Sequence, residues 1–253
     1  MLMPRVMPCL LLKNGGLVKT VKFRDPGYIG DPINAVRIYN EKEVDELVFL
    51  DITATIEKRP PPYKVLSEIG SECFMPVTYG GGIRDIETIR QVLSLGIEKV
   101  AINSYAVENP QFVHDAAEKF GSSTIVVSID VRRQLFGRFE VVIYGGRKGT
   151  RLDPVDFAIQ MQQMGAGEIL LTAIDRDGTQ EGYDLALISR VTNAVSIPVI
   201  ACGGAGKIED FRAAIKDAGA SACAAGSMVV YYGRNRAVLI TFPERAKLEA
   251  ILS

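Results

Sequence analysis

Residues 77–104 read VTYGGGIRDIETIRQVLSLGIEKVAINS, and residues 200–227 read IACGGAGKIEDFRAAIKDAGASACAAGS. Each stretch has a glycine pair after an apolar run, a lone glycine further on, and a serine at its end. The matched positions are Gly81, Gly96 and Ser104 in the first stretch and Gly204, Gly219 and Ser227 in the second. Because the steps between matched positions are identical, the stretches indicate a duplicated fold unit whose halves divide near residue 122.

The composition is that of an ordinary globular protein and excludes several partners. The chain has 253 residues, 47% hydrophobic and 23% charged, with a net charge of -1. Such a charge gives no electrostatic reason to expect nucleic acid or a membrane surface as a partner. No apolar run reaches the roughly 18 residues that a membrane span needs. The apolar N-terminus lacks a small-residue cleavage site, so we interpret it as a buried first strand rather than a signal peptide.

The cysteines favour a reducing compartment. Cys9, Cys73, Cys202 and Cys223 lie in apolar runs without CxxC spacing, which is typical of buried free thiols in the cytoplasm. With one histidine in the whole chain, we expect no metal site, and nothing in the sequence indicates a cofactor.

Eight short runs that are apolar on both faces alternate with amphipathic segments, as in a buried parallel sheet. The predicted strands are Arg5–Leu12, Glu46–Ile52, Cys73–Tyr79, Lys99–Asn103, Ser123–Asp130, Glu168–Ala173, Pro198–Cys202 and Ala222–Ala225. Eight β-α units in about 250 residues fit a single α/β domain, a (β/α)8 TIM barrel over residues 1–253. Its half-barrels would be about 1–122 and 123–253. A doubly wound open sheet is the alternative, but it normally uses fewer strands and does not require matching halves.

Local signals add three helix starts and two insertions. The predicted helix starts, each a cap residue followed by proline, are Asp31-Pro32, Asn109-Pro110 and Asp153-Pro154. After strand five, residues 132–146 are predicted to form a β-ribbon that turns at Phe136-Gly137-Arg138. After strand one, residues 15–30 are predicted to form a short ribbon and then a Gly- and Pro-containing loop suited to a mobile lid.

The glycine pairs fall where a barrel of this type has its active face, at the C-terminal ends of the strands. There, backbone N–H groups and a serine hydroxyl can converge on one anion. The candidate phosphate-binding residues are Gly81, Gly82, Asn103 and Ser104 in the first half and Gly203, Gly204, Gly226 and Ser227 in the second. A single glycine pair would indicate only a tight turn. Two matched copies favour a phosphorylated small molecule with a phosphate at each end.

Charged residues belong to the same face. Asp130 closes strand five over the barrel mouth, where it can act as a general acid or base, the alternative being a solvated strand-end cap. Asp51 follows strand two. Asp177 and Gly178 follow strand six and are equally consistent with a simple turn. Lys19 either contacts a phosphate or only lies on the ribbon, and the residues alone leave both open.

At the opposite end of the barrel, four strands begin with a charged residue. Arg5, Glu46, Lys99 and Glu168 start strands one, two, four and six, and we predict that they form a ring around the axis. The alternative is a set of separate surface ion pairs, which contribute little to stability.

These motifs resemble one family. The segments that carry the resemblance are 45–54 (DELVFLDITA), 79–83 (YGGGI), 101–103 (AIN), 165–179 (GAGEILLTAIDRDGT) and 202–207 (CGGAGK). They are similar to the cyclase subunit of imidazole glycerol phosphate synthase, from the start of the chain to about residue 228. Residues 231–253 depart from the family.

The resemblance implies a duplicated half-barrel whose substrate is a ribulosyl aminoimidazole nucleotide with a phosphate at each end. It also implies a heterodimer with a glutaminase, which docks at the bottom of the barrel and sends ammonia through it. On that basis the four ring residues are the ammonia gate, Glu98 is a glutaminase contact, and Lys19 is the phosphate-side lysine.

The resemblance fails at one catalytic position. The family uses an aspartate at the end of strand one and another at the end of strand five, within a first-strand pattern CLDVKDG. This chain reads CLLLKNG over residues 9–15, so Leu11 replaces the first aspartate while Asp130 matches the second. Loss of a general acid or base costs about 10²–10⁴-fold in rate. The family also has a serine before the second glycine pair, where this chain has Cys202.

A retained gate with half an acid–base pair resembles paralogues of surface-polysaccharide (O-antigen) pathways, in which barrel and glutaminase supply ammonia to an N-acetyl-sugar amidotransferase. Three alternatives stay open. They are a working cyclase of histidine biosynthesis in which Asp51 substitutes for the lost acid, the sister sugar-phosphate isomerase, and a non-enzymatic binding module.

Overall fold

The computed structural model describes residues 4–233 and 235–253. Its strands, in chain order, are β1 (Arg5–Lys13), β2 (Gly16–Val21), β3 (Arg24–Gly30), β4 (Leu47–Asp51), β5 (Val77–Gly80), β6 (Lys99–Ile102), β7 (Ile125–Arg133), β8 (Phe139–Ile143), β9 (Lys148–Gly149), β10 (Glu168–Ala173), β11 (Val199–Cys202), β12 (Ala222–Ala225), β13 (Tyr231–Tyr232) and β14 (Ala237–Val238). The α-helices are α1 (Pro32–Glu41), α2 (Tyr63–Glu72), α3 (Ile86–Ser94), α4 (Ser104–Glu108), α5 (Pro110–Phe120), α6 (Pro154–Gln163), α7 (Leu185–Thr192), α8 (Ile208–Arg212) and α9 (Arg245–Leu252).

Eight of the strands close into a parallel barrel. They follow the order β1-β4-β5-β6-β7-β10-β11-β12, and β12 pairs with β1 to complete the ring. This closure confirms the predicted (β/α)8 barrel and rules out the open doubly wound sheet.

Two apolar layers explain why the strands are hydrophobic on both faces. The larger layer lies between the barrel and its helices and includes Tyr39, Phe49 and Phe211. The smaller layer fills the barrel interior with side chains such as Met7, Val126 and Leu170. Every barrel strand therefore buries both of its faces, as parallel strands under helices must.

Some predicted boundaries were wrong. The third predicted strand begins at Val77 rather than Cys73, because α2 continues to Glu72 and the Cys73 N–H caps it through the Ile69 carbonyl. The fifth begins at Ile125, after a single 3-10 turn over Ser122–Thr124.

All three helices begin at the predicted proline, but only two of the three predicted cap residues form a capping hydrogen bond. Asp31 accepts hydrogen bonds from Ile33 N and Asn34 N, and Asp153 accepts one from Val155 N. Helix α5 does begin at Pro110, but the Asn109 side chain makes no capping hydrogen bond.

The insertion after strand five is the predicted ribbon. Strand β7 extends past the barrel rim and pairs antiparallel with β8. The turn between them places Phe136 at φ 61, a left-handed backbone that a bulky residue rarely adopts.

The insertion after strand one differs from its prediction. The Gly- and Pro-containing part of residues 15–30 was expected to be a loop, but Arg24–Gly30 form strand β3, which pairs with β2. The register is irregular between Arg24 and Gly27, where Pro26 lies. Proline has no backbone N–H to donate, and an edge strand tolerates it where the backbone faces away from the neighbouring strand.

The two halves share an unusual backbone where the duplication predicts it. Gly81 and Gly204 have φ angles of 128° and 119°, which side chains rarely adopt. Asn103 lies at φ -114, ψ -90 and its counterpart Gly226 at φ -108, ψ -83. The division near residue 122 stays a prediction, and this match supports it.

The chain ends in a hairpin and a helix. Strands β13 and β14 pair antiparallel, and α9 then buries Leu248 and Leu252 on the barrel's outer shell. None of the helices within residues 4–233 and 235–253 is long and apolar enough to cross a bilayer.

Candidate functional site

A large cavity of about 500 Å³ opens at the C-terminal ends of the barrel strands. All of the predicted active-face residues line it. They are Lys19, Asp51, Gly81, Gly82, Asn103, Ser104, Asp130, Asp177, Gly178, Gly203, Gly204, Gly226 and Ser227. Strand ends that are far apart in the sequence therefore meet as predicted, although a shared cavity does not by itself assign a role to any of them.

The first glycine pair and its serine are held by neighbours that the sequence did not reveal. The Gly82 N–H donates to Thr55 Oγ1 at 3.1 Å. The Ser104 hydroxyl accepts a hydrogen bond from Tyr144 N at 3.0 Å and donates to Asn103 Oδ1 at 3.1 Å. We call Gly81, Gly82, Asn103 and Ser104 the first cradle, and its polar groups are already largely engaged within the chain.

The second set, Gly203, Gly204, Gly226 and Ser227, which we call the second cradle, has a cation instead. A Cβ atom on Gly226 would come within 2.2 Å of Lys19 Nζ, so the lysine extends from the ribbon directly over this glycine. Lys19 is only 5% exposed. Within residues 4–233 and 235–253, no carboxylate lies close enough to pair with it. A buried ammonium without an ion-pair partner indicates a place for an anion.

The glycines of the second cradle are needed for close packing. A Cβ on Gly204 would lie 2.2 Å from the Gly182 carbonyl oxygen, and one on Gly203 would lie 2.7 Å from that of Ala173. Both residues also have positive φ angles. The turn can therefore approach its neighbours only with glycine at both positions.

Asp130 is suited to proton transfer near neutral pH. Burial raises the pKa of its carboxyl to about 7, with the nearby Asp177 carboxylate adding to the rise and a hydrogen bond from Thr172 opposing it. A group whose pKa is close to the ambient pH can give up and take back a proton readily.

Asp177 fixes the ribbon against the end of β10. Its Oδ2 accepts hydrogen bonds from Thr20 Oγ1 at 2.8 Å and from Phe23 N at 3.4 Å, and its carbonyl accepts one from Lys22 N at 2.9 Å. A Cβ on Gly178 would lie 2.2 Å from the Thr20 carbonyl oxygen. The segment is thus more than a turn, because it fastens the strand that carries Lys19.

Asp51 is committed to its own loop. Its Oδ1 accepts hydrogen bonds from Thr53 N at 3.1 Å and Ala54 N at 3.0 Å, and Arg59 Nη2 lies 2.8 Å away. The Asp51 carboxylate is therefore already engaged by a guanidinium and two N–H groups of its own loop.

Leu11 puts hydrocarbon where strand one meets the cavity. It is 7% exposed, lines the cavity and pairs in register with Val18 and Leu50. The Leu11 side chain therefore offers neither a proton nor a hydrogen bond to a ligand.

Two thiols also line the cavity. The neighbouring Cys202 thiol and the Lys19 ammonium lower the pKa of Cys9, whereas the neighbouring Cys9 raises that of Cys202. All four cysteines are free thiols, but Cys73 and Cys202 are only partly buried, so the prediction that all are buried was too broad. In the described part of the chain, no cluster of three potential metal ligands is found.

At the other end of the barrel, the four charged side chains form one connected ring. Arg5 lies 2.6 Å from Glu46 and 2.8 Å from Glu168, and Lys99 lies 3.1 Å and 3.3 Å from the same two carboxylates. Thr78, which the sequence did not single out, donates to Glu46 Oε1 at 2.8 Å. The geometry is a ring rather than separate pairs, and its role as a gate stays a prediction.

Glu98 lies beside this ring on the exposed rim. Its Oε2 accepts a hydrogen bond from Val77 N at 2.7 Å, so one carboxylate oxygen is already used within the chain. A role in partner contact stays a prediction.

Comparisons with known proteins agree with this architecture. The family described as "Histidine biosynthesis protein" matches residues 5–235. A Pseudomonas aeruginosa protein, provisionally named imidazole glycerol phosphate synthase subunit hisF2, is 49% identical over 245 residues, which is 97% of this chain and 98% of its own. A Leptospira interrogans protein, provisionally named as subunit HisF of the same synthase, is 45% identical over 252 residues, 99% of each chain. Imidazole glycerol phosphate synthase subunit HisF of Alkaliphilus metalliredigens is 48% identical over 231 residues, 91% of this chain and 92% of its own.

These matches cover nearly the whole barrel at high identity. The chain therefore belongs to the histidine biosynthesis protein family, as a HisF-like relative of the cyclase subunit of imidazole glycerol phosphate synthase.

Proposed function

We propose that this barrel receives ammonia from a glutaminase subunit and delivers it at the cavity, with little or no cyclase activity of its own. The acceptor we propose is an N-acetyl-sugar amidotransferase that makes an amidino sugar for surface polysaccharide. The barrel is then a conduit and docking platform in the cytoplasm, built from half-barrels of residues 1–122 and 123–253.

The observation that carries the proposal is the state of the acids around the cavity. Asp130 is the one whose pKa burial raises to about 7. Leu11 occupies the end of strand one, and Asp51 forms an ion pair with Arg59 at 2.8 Å. Cyclisation in the family needs an acid and a base on opposite sides of the substrate. Here the strand-one side carries the Leu11 side chain, and Asp51, the nearby acid that could substitute, is already in an ion pair with Arg59.

The barrel bottom supports the conduit. The ring of Arg5, Glu46, Lys99 and Glu168 closes the entrance, and the interior between ring and cavity is lined by Met7, Val48, Ala101, Val126, Leu170, Ile200, Ala222 and Ala224. An apolar interior disfavours the ammonium ion, so the species that we propose to cross it is neutral ammonia. We place the glutaminase against this ring, with Glu98 on its border.

The extent of the matches supports a paralogue. The Pseudomonas aeruginosa and Leptospira interrogans relatives match 97% and 99% of the chain, whereas the Alkaliphilus metalliredigens subunit matches 91%. The alignments with the two provisionally named relatives therefore cover more of this chain than the alignment with the Alkaliphilus metalliredigens subunit does.

A cyclase assay with the ribulosyl aminoimidazole nucleotide and saturating ammonium salt tests the proposal, since it needs no glutaminase. We expect a rate at least about 10²-fold below that of an ordinary HisF measured alongside. A rate within a few-fold of that enzyme would refute the conduit and favour the second candidate, a working cyclase of histidine biosynthesis that uses another acid.

A gain-of-function variant sharpens the test. Leu11→Asp restores a carboxylate at the end of strand one, and cyclase activity that appears only in this variant supports the loss we propose. Leu11→Asn is the matched control, because it is polar and of the same size but carries no exchangeable acid proton. Equal activity in both variants would mean that the missing acid is not what limits the reaction.

The conduit itself is tested by pairing the chain with its cognate glutaminase. We expect a stable complex and stimulated glutamine hydrolysis, both weakened by Glu98→Lys and unaffected by Glu118→Lys on α5. Absence of complex and of stimulation would remove the channel from the proposal.

A further inference from the structure

The C-terminal hairpin reaches back onto the active face through one arginine. Arg236 Nη2 donates to the Gly178 carbonyl oxygen at 3.1 Å and to Ser227 Oγ at 3.3 Å. Gly178 follows the sixth barrel strand and Ser227 the eighth, and both line the cavity. The guanidinium therefore joins the loops after the sixth and eighth strands, and the glycine pair of the second cradle follows the seventh strand between them.

This arginine is held in place but not neutralised. The Tyr231 ring lies 4.7 Å from its guanidinium carbon, an arrangement in which the ring face attracts the cation. Its backbone N–H also closes the hairpin turn onto the Gly233 carbonyl oxygen at 3.1 Å. Among the residues that the structure describes, no carboxylate forms an ion pair with it.

A second cation lies against the same cradle. Lys19 is 5% exposed and extends over Gly226, the residue next to Ser227. Ser227 Oγ accepts from Arg236 and keeps its own proton to donate. Two cations without carboxylate partners, converging on a hydroxyl and a glycine turn, form a set of donors that suits an oxyanion.

We propose that Arg236 is an anion-binding residue of the second cradle, which the C-terminal hairpin adds to the Lys19 side of the cavity to hold a phosphate monoester dianion. Arg236 lies just beyond residue 235, where the match to the family ends. The inference rests on the phosphate role that the sequence predicts for the second cradle, and it adds Arg236 as a second positive charge there.

A purely structural role is the competing explanation. Arg236 would then only tie the hairpin to the barrel, through the Gly178 carbonyl and the Tyr231 ring. The two explanations differ in one measurable respect, because a tether affects folding whereas an anion ligand affects phosphate affinity and its dependence on salt.

The experiment titrates the whole chain with inorganic phosphate, followed by ³¹P NMR, at low and moderate ionic strength. Arg236→Gln keeps a hydrogen-bonding side chain without charge. Arg245→Gln on α9 is the matched control, because that arginine lies in the same tail but pairs with Glu249 at the surface. Lys19→Gln is the reference for loss of the second cradle.

We expect Arg236→Gln to weaken phosphate binding by about 10-fold or more. This is the low end of what a hydrogen bond from a charged group contributes, because the guanidinium is only half-buried. We also expect a shallower salt dependence, while Arg245→Gln leaves both unchanged. Arg236→Lys, which keeps the charge, should recover part of the affinity, and it replaces the glutamine variant if that one does not fold.

The outcomes separate the inference from the function beneath it. If Lys19→Gln loses phosphate and Arg236→Gln binds as the wild type does, the inference is overturned and the second cradle stands. If the wild type itself binds no phosphate, both the cradle and the inference fall. Equal losses in Arg236→Gln and Arg245→Gln would also overturn the inference, because they would indicate a general effect of charge.

Discussion

Replacing Asp130 by asparagine should make the protein more stable at alkaline pH. The carboxyl is 9% exposed, and burial raises its pKa from 3.8 to about 7. The native state thus holds this proton more tightly than the unfolded chain does. The wild type therefore has its full stability from this group below about pH 4 and loses it progressively as the pH rises through about 7.

The size of the effect follows from the shift. Each unit of pKa difference between folded and unfolded states corresponds to about 1.4 kcal/mol, so a rise from 3.8 to about 7 has an upper limit of about 4 kcal/mol. The carboxyl opens on a cavity that water can enter, and we expect about 2–3 kcal/mol. Asparagine has no proton to lose, so its unfolding free energy should not fall across this range.

The measurement is urea unfolding of wild type and Asp130→Asn at intervals from pH 5 to pH 9. The control is Asp25→Asn, because Asp25 is exposed on the ribbon at φ 50, a left-handed backbone that asparagine also tolerates. The stability difference should grow with pH for Asp130→Asn and stay flat for Asp25→Asn. A flat difference at Asp130, or one that shrinks above pH 7, would refute the claim that burial keeps this acid protonated.

Three further substitutions have expected outcomes in urea unfolding or phosphate titration. Glu46→Gln should lower the free energy of unfolding by about 3 kcal/mol, since Glu46 is 2% exposed and its loss leaves two ring cations undercompensated; a cost below 1 kcal/mol would mean that the ring is not a coupled unit. Gly226→Ala should weaken phosphate binding while costing at most about 1 kcal/mol of stability, because the new Cβ displaces only the flexible end of Lys19, and unchanged affinity would argue against this cradle. Tyr79→Phe should be neutral or stabilise by up to about 1–2 kcal/mol, because the Tyr79 hydroxyl is buried without a hydrogen-bond partner within the described residues, and a clear loss of stability would contradict that.

The fold was predictable because its signals are repetitive. Eight apolar runs, three Pro-marked helix starts and two matched glycine stretches all indicate one barrel, and the barrel closes as expected. The errors fall where tertiary context overrides the local pattern. The apolar run that begins at Cys73 was predicted to be a strand, for example, but Cys73 is the C-terminal cap of α2.

The site was predictable to the level of which residues share the cavity, because barrel topology fixes where strand ends meet. The hydrogen-bond partners of these residues were not predictable, because the partners come from segments that are distant in the sequence. Nothing in the sequence around Ser104 indicates that Tyr144 N would occupy its hydroxyl, or that Arg59 would pair with Asp51. Arg236 was missed because it lies in the stretch that departs from the family, where no motif directed attention to it.

The two cradles differ in how water and salt can reach their charges. At the second, the Lys19 ammonium is almost entirely enclosed, whereas the arginines that line the cavity near the first, such as Arg84 and Arg147, are exposed. Dissolved ions screen exposed charges far more than enclosed ones. A long molecule with an anionic group at each end would therefore be bound with different salt sensitivity at its two ends. Rising ionic strength would release the group at the first cradle before the group at the second.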